Sequence, residues 1–283
     1  MSRYRQLKSV TEAPLVQDGE GVAIHRAFPN AQLSDFDPFL LLDHMGPMEL
    51  KPGEAKGFPD HPHRGFETVT YLLSGDFEHR DSFGHRGVLK AGDVQWMTAG
   101  SGLVHSETPG REIKEKGGKL EGFQLWINLP KADKMKPPHY QEFNSTQIPA
   151  ATGDGVNAKV IAGEALNVAG AVSTHIPIQF VHFKLNAGAT LQHQVPRNLN
   201  VMLYVMEGGV KVGDTAVPRF HIAGFANDAD EIQVTASEAS EFLLLAAKPI
   251  GEPVFRYGPF VMNTKQELQQ AFEDYRAGKM GTI

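Results

Sequence analysis

The chain has no cysteine among its 283 residues. Disulfides, thiolate metal clusters and cysteine nucleophiles are therefore excluded, and any transition metal must be held by nitrogen and oxygen. No run approaches the ~20 uninterrupted apolar residues of a membrane-spanning helix, so no span is expected. Basic residues never cluster in a run of five, and the formal charge is −6. A surface that tracks nucleic-acid phosphates needs such clustering, so direct nucleic-acid binding is not expected. The first seventeen residues mix charges and lack the apolar core of a signal peptide, which points to a cytoplasmic protein.

What the chain has is turn chemistry and short apolar runs. Its 29 glycines and 18 prolines favour many short strands over long helices. Glu67–Leu73 is rich in β-branched and aromatic residues and stops at Ser74-Gly75-Asp76. Val94–Thr98 and Gly122–Leu129 read as further strands, the second alternating and ending at Pro130. Lys131–Pro149, with Pro137 and Pro138 and little periodicity, reads as a linker. Beyond it the texture repeats: Asn200–Gly208 parallels Thr68–Gly75, which suggests a duplicated β-barrel. Near the C-terminus Thr264 and Glu267 form a T-x-x-E capping box. Leu268, Ala271, Phe272 and Tyr275 then supply an apolar helical stripe, with Gly278 suited to the position just past the helix end.

Two pairs of metal-competent side chains stand out, His61-Pro62-His63 and His105-Ser106-Glu107. On a strand, i, i+2 spacing puts both members of a pair on one face. Neighbouring strands could then aim three imidazoles and a carboxylate at one point, a set suited to a borderline divalent transition metal. Where the first half has His61-Pro62-His63, the second has His193-Gln194-Val195 and no His-x-Glu partner, so the second unit reads as metal-free.

Gly57-Phe58-Pro59-Asp60-His61-Pro62-His63-Arg64-Gly65-Phe66-Glu67-Thr68 resembles the signature of the pirin family. Gly92–Gly100, Phe36–Asp43 and Gly258–Asn263 also resemble pirin segments. The resemblance implies an all-β protein of two tandem cupin barrels, jelly-roll-like and face to face, with a short C-terminal helix. It implies iron(II) in the N-terminal barrel only, held by His61, His63, His105 and Glu107. Glu67, which ordinary cupins would use, shares strand parity with the histidines but is expected to be structural or to support the ligands. The expected divisions are a metal-binding barrel over 1–133, a linker over 134–150, a metal-free barrel over 151–263, and a helix and tail over 264–283.

The activity that the resemblance implies is quercetin 2,3-dioxygenation, in which dioxygen cleaves a flavonol to a depside and carbon monoxide. Glu107 is the natural general base for the 3-hydroxyl. The alternative is an iron-dependent, redox-sensing regulator that binds a protein partner. A sugar-isomerising cupin is a weaker third reading. A monomer is expected. Asp43 and His44 could support a ligand imidazole but read as a solvated strand end. Arg64 reads as a structural salt bridge rather than an anion partner, and Trp96 and Met97 read as barrel core. Phe58 and Phe66 could form an apolar lining, and the remaining histidines read as ordinary surface or core residues.

Overall fold

The computed structural model describes residues 3–283. The chain forms two compact units, and neither is continuous in sequence. One gathers residues 15–26, 39–145 and 250–283; the other gathers the segment up to Pro14, 27–38 and 146–249. The consecutive blocks expected from the sequence are thus interleaved at both ends of the chain.

The unit that carries the paired histidines holds a seven-stranded sheet. Its order is His139–Phe143, Val94–Thr98, Phe66–Ser74, Gly118–Asn128, Phe39–Leu50, Val22–Phe28 and Leu15–Asp18. A four-stranded sheet, Phe58–His63, Leu103–Pro109, Asp76–Asp81 and Arg86–Lys90, completes the barrel. Val22, Ile24, Met45, Leu72 and Leu120 from the large sheet pack on Phe77 and Leu89 from the small one. Each such side chain contributes roughly 1.5–3 kcal/mol on full burial.

The other unit repeats the layout strand for strand. Its large sheet runs Leu7–Glu12, His221–Phe225, Asn200–Glu207, Ser240–Ala247, Ile178–Leu185, Val156–Ala162 and Ala150–Gly153. Its small sheet runs Thr190–Gln194, Glu231–Ala236, Gly209–Val212 and Thr215–Pro218. The all-β, two-cupin class with a short C-terminal helix therefore holds.

Two segments differ from the sequence reading. The expected linker contributes the edge strand His139–Phe143, paired to Val94–Thr98. The two prolines that masked it, Pro137 and Pro138, lie just before an edge strand, where a missing N–H costs little. Lys134, in the same segment, is buried and donates to Gly65 O (2.7 Å), Asn128 Oδ1 (2.6 Å) and Val261 O (3.0 Å). Burial pushes its ammonium down to about 8. The C-terminal helix Lys265–Arg276 is capped as expected: Thr264 Oγ1 accepts from Glu267 N at 3.1 Å, and Gly278 takes φ +72°. It belongs to the histidine-bearing unit, where Leu268, Ala271 and Phe272 pack on Val104, Phe260 and Met280. Tyr275, the last residue of the stripe, stays partly exposed.

Candidate metal centre

Strand Phe58–His63 pairs antiparallel with Leu103–Pro109, and the register sets His105 directly opposite His61. His61 and His63 share one face by strand parity. His61 Nε2 lies 3.0 Å from His63 Nε2 and 2.9 Å from His105 Nε2. The ligand atoms of all three imidazoles fall within 4.8 Å of one another.

This arrangement fits a metal. His61 Nδ1 lies 2.7 Å from the Pro59 carbonyl oxygen, which can only accept, so the ring proton sits on Nδ1 and Nε2 presents a lone pair. His63 and His105 are almost fully buried. Burial first, and neighbouring imidazoles second, hold both well below the ordinary histidine pKa, so both are neutral donors. A proton could reconcile one Nε2–Nε2 contact, whereas a divalent cation reconciles all of them. Donors about 2.1 Å from one ion lie roughly 3.0 Å apart at right angles and roughly 3.4 Å apart at tetrahedral angles. The observed 2.9 and 3.0 Å lie near the right-angle value.

Glu107 stands outside this close group. The register shifts between His105 and Glu107, with the extra residue on the Phe58–His63 strand, while pairing to Asp76–Asp81 continues unbroken. Both Glu107 oxygens are drawn to the large sheet: Thr70 Oγ1 donates to Oε1 and Gln124 Nε2 donates to Oε2, each at 2.6 Å. Each oxygen keeps a free lone pair. The register aligns Asp43, Gln124, Thr70 and Gln95 in one row across four strands of that sheet. Glu107 is thus clamped at the centre of a polar row.

Glu67 does not join the group. Parity carried forward from His61 and His63 fails because the strand breaks at Gly65, whose φ is +87° and where a Cβ would lie 2.0 Å from Val261 O. Counted from Thr70, Glu67 points to the opposite face of its sheet, where it accepts from Thr98 Oγ1 at 2.7 Å. Arg64, beside Gly65, is a structural anchor: it donates to Ser101 O and to Asp274 Oδ2 on the C-terminal helix, both at 2.7 Å.

A cavity of about 310 Å³ opens beside the histidines. Its apolar walls include Leu41, Met45, Phe58 and Trp126. Trp126 packs edge-on to His63 at 5.1 Å and tilts against Phe66 at 4.5 Å. Of the secondary candidates, Phe58 and Asp43 line the cavity, and Phe66 packs on His63 at 5.0 Å. His44 turns to the other face, stacked on Phe123 at 4.3 Å and bonded to Glu121 at 3.1 Å. Trp96 and Met97 are fully buried and do not line this cavity. Gln124 and Trp126 were read only as strand residues, although their shared parity is visible in Gly122–Leu129. His79, read as ordinary, is buried with neither ring nitrogen bonded and lies 6.0 Å from the His105 ring.

In the second unit, His193 bonds Gln179 Oε1 at 3.1 Å and packs edge-on to Phe183 at 5.5 Å. Among the described residues no helix is long and apolar enough to cross a membrane.

The comparisons with known proteins agree with this architecture. The pirin family model matches residues 21–127, and the model of the pirin C-terminal cupin domain matches residues 180–281. Pirin of Homo sapiens is 42% identical over 270 residues, covering 93% of this chain and 90% of that protein. A pirin-like protein of Solanum lycopersicum is 42% identical, covering 99% and 94%. The solved structure of a quercetin 2,3-dioxygenase from Acinetobacter baumannii superposes with a TM-score of 0.94 at 38% identity, covering 99% of both chains. The chain belongs to the pirin family.

Proposed function

We propose that this protein is a metal-dependent dioxygenase that cleaves flavonols with O2, and that iron(II) is its metal. The observation that carries the reading is the convergence of three imidazole nitrogens beside a carboxylate and an aromatic-walled cavity. Support also comes from the likeness to a protein described as quercetin 2,3-dioxygenase.

His61, His63 and His105 hold the metal, with Glu107 as a fourth ligand. When bound, the metal would supply Lewis acidity toward the substrate oxygen. The chain's own residues do the rest. Glu107 takes the proton of the flavonol 3-hydroxyl, its oxygens aimed by Thr70 and Gln124. Leu41, Met45, Phe58 and Trp126 enclose the flat ring system and limit water.

Aerobic incubation with quercetin tests this. Protein loaded with iron(II) is expected to bleach the flavonol band and release one carbon monoxide per ring cleaved. No turnover with iron(II) or any other divalent first-row metal refutes the proposal.

A further inference from the structure

The cavity beside the histidines has an unusual balance of polar groups. Its lining carries four carboxylates, Asp18, Asp43, Asp60 and Glu107, and no lysine or arginine. The cations that neutralise them are not part of the lining. Arg26 grips Asp43 bidentately, Nε to Oδ1 at 2.9 Å and Nη2 to Oδ2 at 2.7 Å, and its Nη2 also reaches Asp18. Arg80 holds Asp60 at 3.2 Å. One N–H of the Gln124 amide is committed to Glu107, and His61 Nδ1–H to Pro59 O. Away from the histidines the lining is therefore rich in acceptors, with its arginines held behind it, so a ligand's hydroxyl donors find partners there.

Among these acids Asp43 is the one built into the floor. It is buried, and its register partner is Gln124, the residue that clamps Glu107. Asp43 thus lies beside Gln124, the residue that bonds the proposed base from across the cavity, and both line that cavity. Each of its oxygens accepts one bond from Arg26 and keeps a second lone pair. The guanidinium fixes the carboxylate, so accepting a ligand hydroxyl requires little further ordering.

Resting on the flavonol reading, we propose that Asp43, fixed by Arg26, is a specificity residue. It accepts a hydrogen bond from a hydroxyl on the part of the flavonol remote from the reacting ring. The cavity then takes neutral polyhydroxylated flavonols in preference to analogues that lack those hydroxyls or carry them methylated. A small-molecule hydroxyl that reaches a buried acceptor discriminates against the analogue lacking it, because the lone pair not used by Arg26 is otherwise left without a partner.

The test is anaerobic titration of the iron(II)-loaded protein, read from the shift of the flavonol absorption band. The probes are quercetin, the flavonol without pendant-ring hydroxyls, and the pendant-ring dimethyl ether of quercetin. Wild type is expected to bind quercetin roughly 10- to 100-fold more tightly than either analogue. Asp43→Leu is expected to bring the three within about threefold. Asp43→Asn, which keeps the shape and a weaker acceptor, is expected to fall between, and it decides the matter if the leucine variant does not fold. Equal affinity for all three probes in wild type, or undiminished discrimination in Asp43→Asn, overturns the role of Asp43 while leaving flavonol binding intact. Failure of every flavonol to bind overturns the flavonol reading, and this proposal with it.

Discussion

The C-terminal helix is fastened to the turn that follows the histidine pair, and the strength of that fastening can be measured. Arg64 directly follows His63, and its guanidinium is nearly buried, 2.7 Å from Asp274 Oδ2. Asp274→Ala leaves that guanidinium with Ser101 O as its remaining bonded partner. Removing one partner of a buried pair costs about 3–5 kcal/mol. Two features place this pair at or below the lower end. The retained bond to Ser101 O partly satisfies the cation, and the lost contact from Lys279 is mostly exposed and worth little. A loss of about 2–3 kcal/mol lowers the melting temperature of a protein of this size by roughly 5–10 °C. The same change releases the helix from the Arg64 side chain, which directly follows His63. Displaced supporting groups typically weaken metal binding about 10- to 100-fold. Calorimetry and iron(II) titration of Asp274→Ala and Asp274→Asn check both effects. A drop below about 2 °C with unchanged metal affinity would refute the view that the helix supports the site.

Other expectations follow from the same geometry. Thr70→Val removes a 2.6 Å bond to the Glu107 carboxylate. A bond to a charged group contributes about 1.5–3 kcal/mol, so flavonol turnover is expected to fall roughly 10- to 100-fold with iron stoichiometry unchanged. Steady-state kinetics with metal analysis decides, and unaltered kcat counts against Glu107 as the base. Burial pushes His193 down to about 4 from an ordinary 6.5. Between those pH values the unfolded chain binds a proton that the folded chain refuses, so its contribution lowers stability as pH falls through that window and is constant above it. The gap corresponds to roughly 3 kcal/mol. His193→Leu is therefore expected to lose less melting temperature than wild type between pH 7.5 and pH 4.5, and parallel losses would show that His193 does not carry that dependence.

The convergence of His61, His63 and His105 was legible because strand parity and hydrogen-bond register are local rules, and these three positions obey them. Parity misled only for Glu67, where Gly65 breaks the strand and resets the count. Gln124 and Trp126 illustrate a different limit. Their alternation was plain, but which face meets the cavity depends on Asp43 and Thr70 lying on either side of Gln124, 81 and 54 residues away in sequence. The Thr264 cap was readable because its bonds span three residues. The docking of that helix was not, since the Arg64–Asp274 pair closes a separation of 210 residues. Likewise Leu7–Glu12 pairs with His221–Phe225, a partnership no local pattern announces.

The duplication permits one more argument. The strand orders of the two units match, so positions can be compared through register. His193 faces Ile232 across the small sheet of one unit, as His61 faces His105 in the other. The quartet His61, His63, His105 and Glu107 thus corresponds to His193, Val195, Ile232 and Val234, and these last three are fully buried. Burying apolar side chains stabilises a barrel, whereas burying neutral imidazoles whose lone pairs face one another does not. The histidine-bearing unit therefore holds a cluster that is costly without an ion, and the second unit shows the apolar solution to the same packing problem. Introducing that solution, as His63→Val with His105→Ile, is expected to abolish iron binding and to raise the melting temperature of the metal-free protein by a few degrees, about 1 kcal/mol or more. Iron(II) added to wild type is expected to raise its melting temperature with concentration, and to leave the double variant unmoved. A double variant that melts below metal-free wild type would show that the histidines are packed as core residues in their own right, and that the lone-pair argument for the site is wrong.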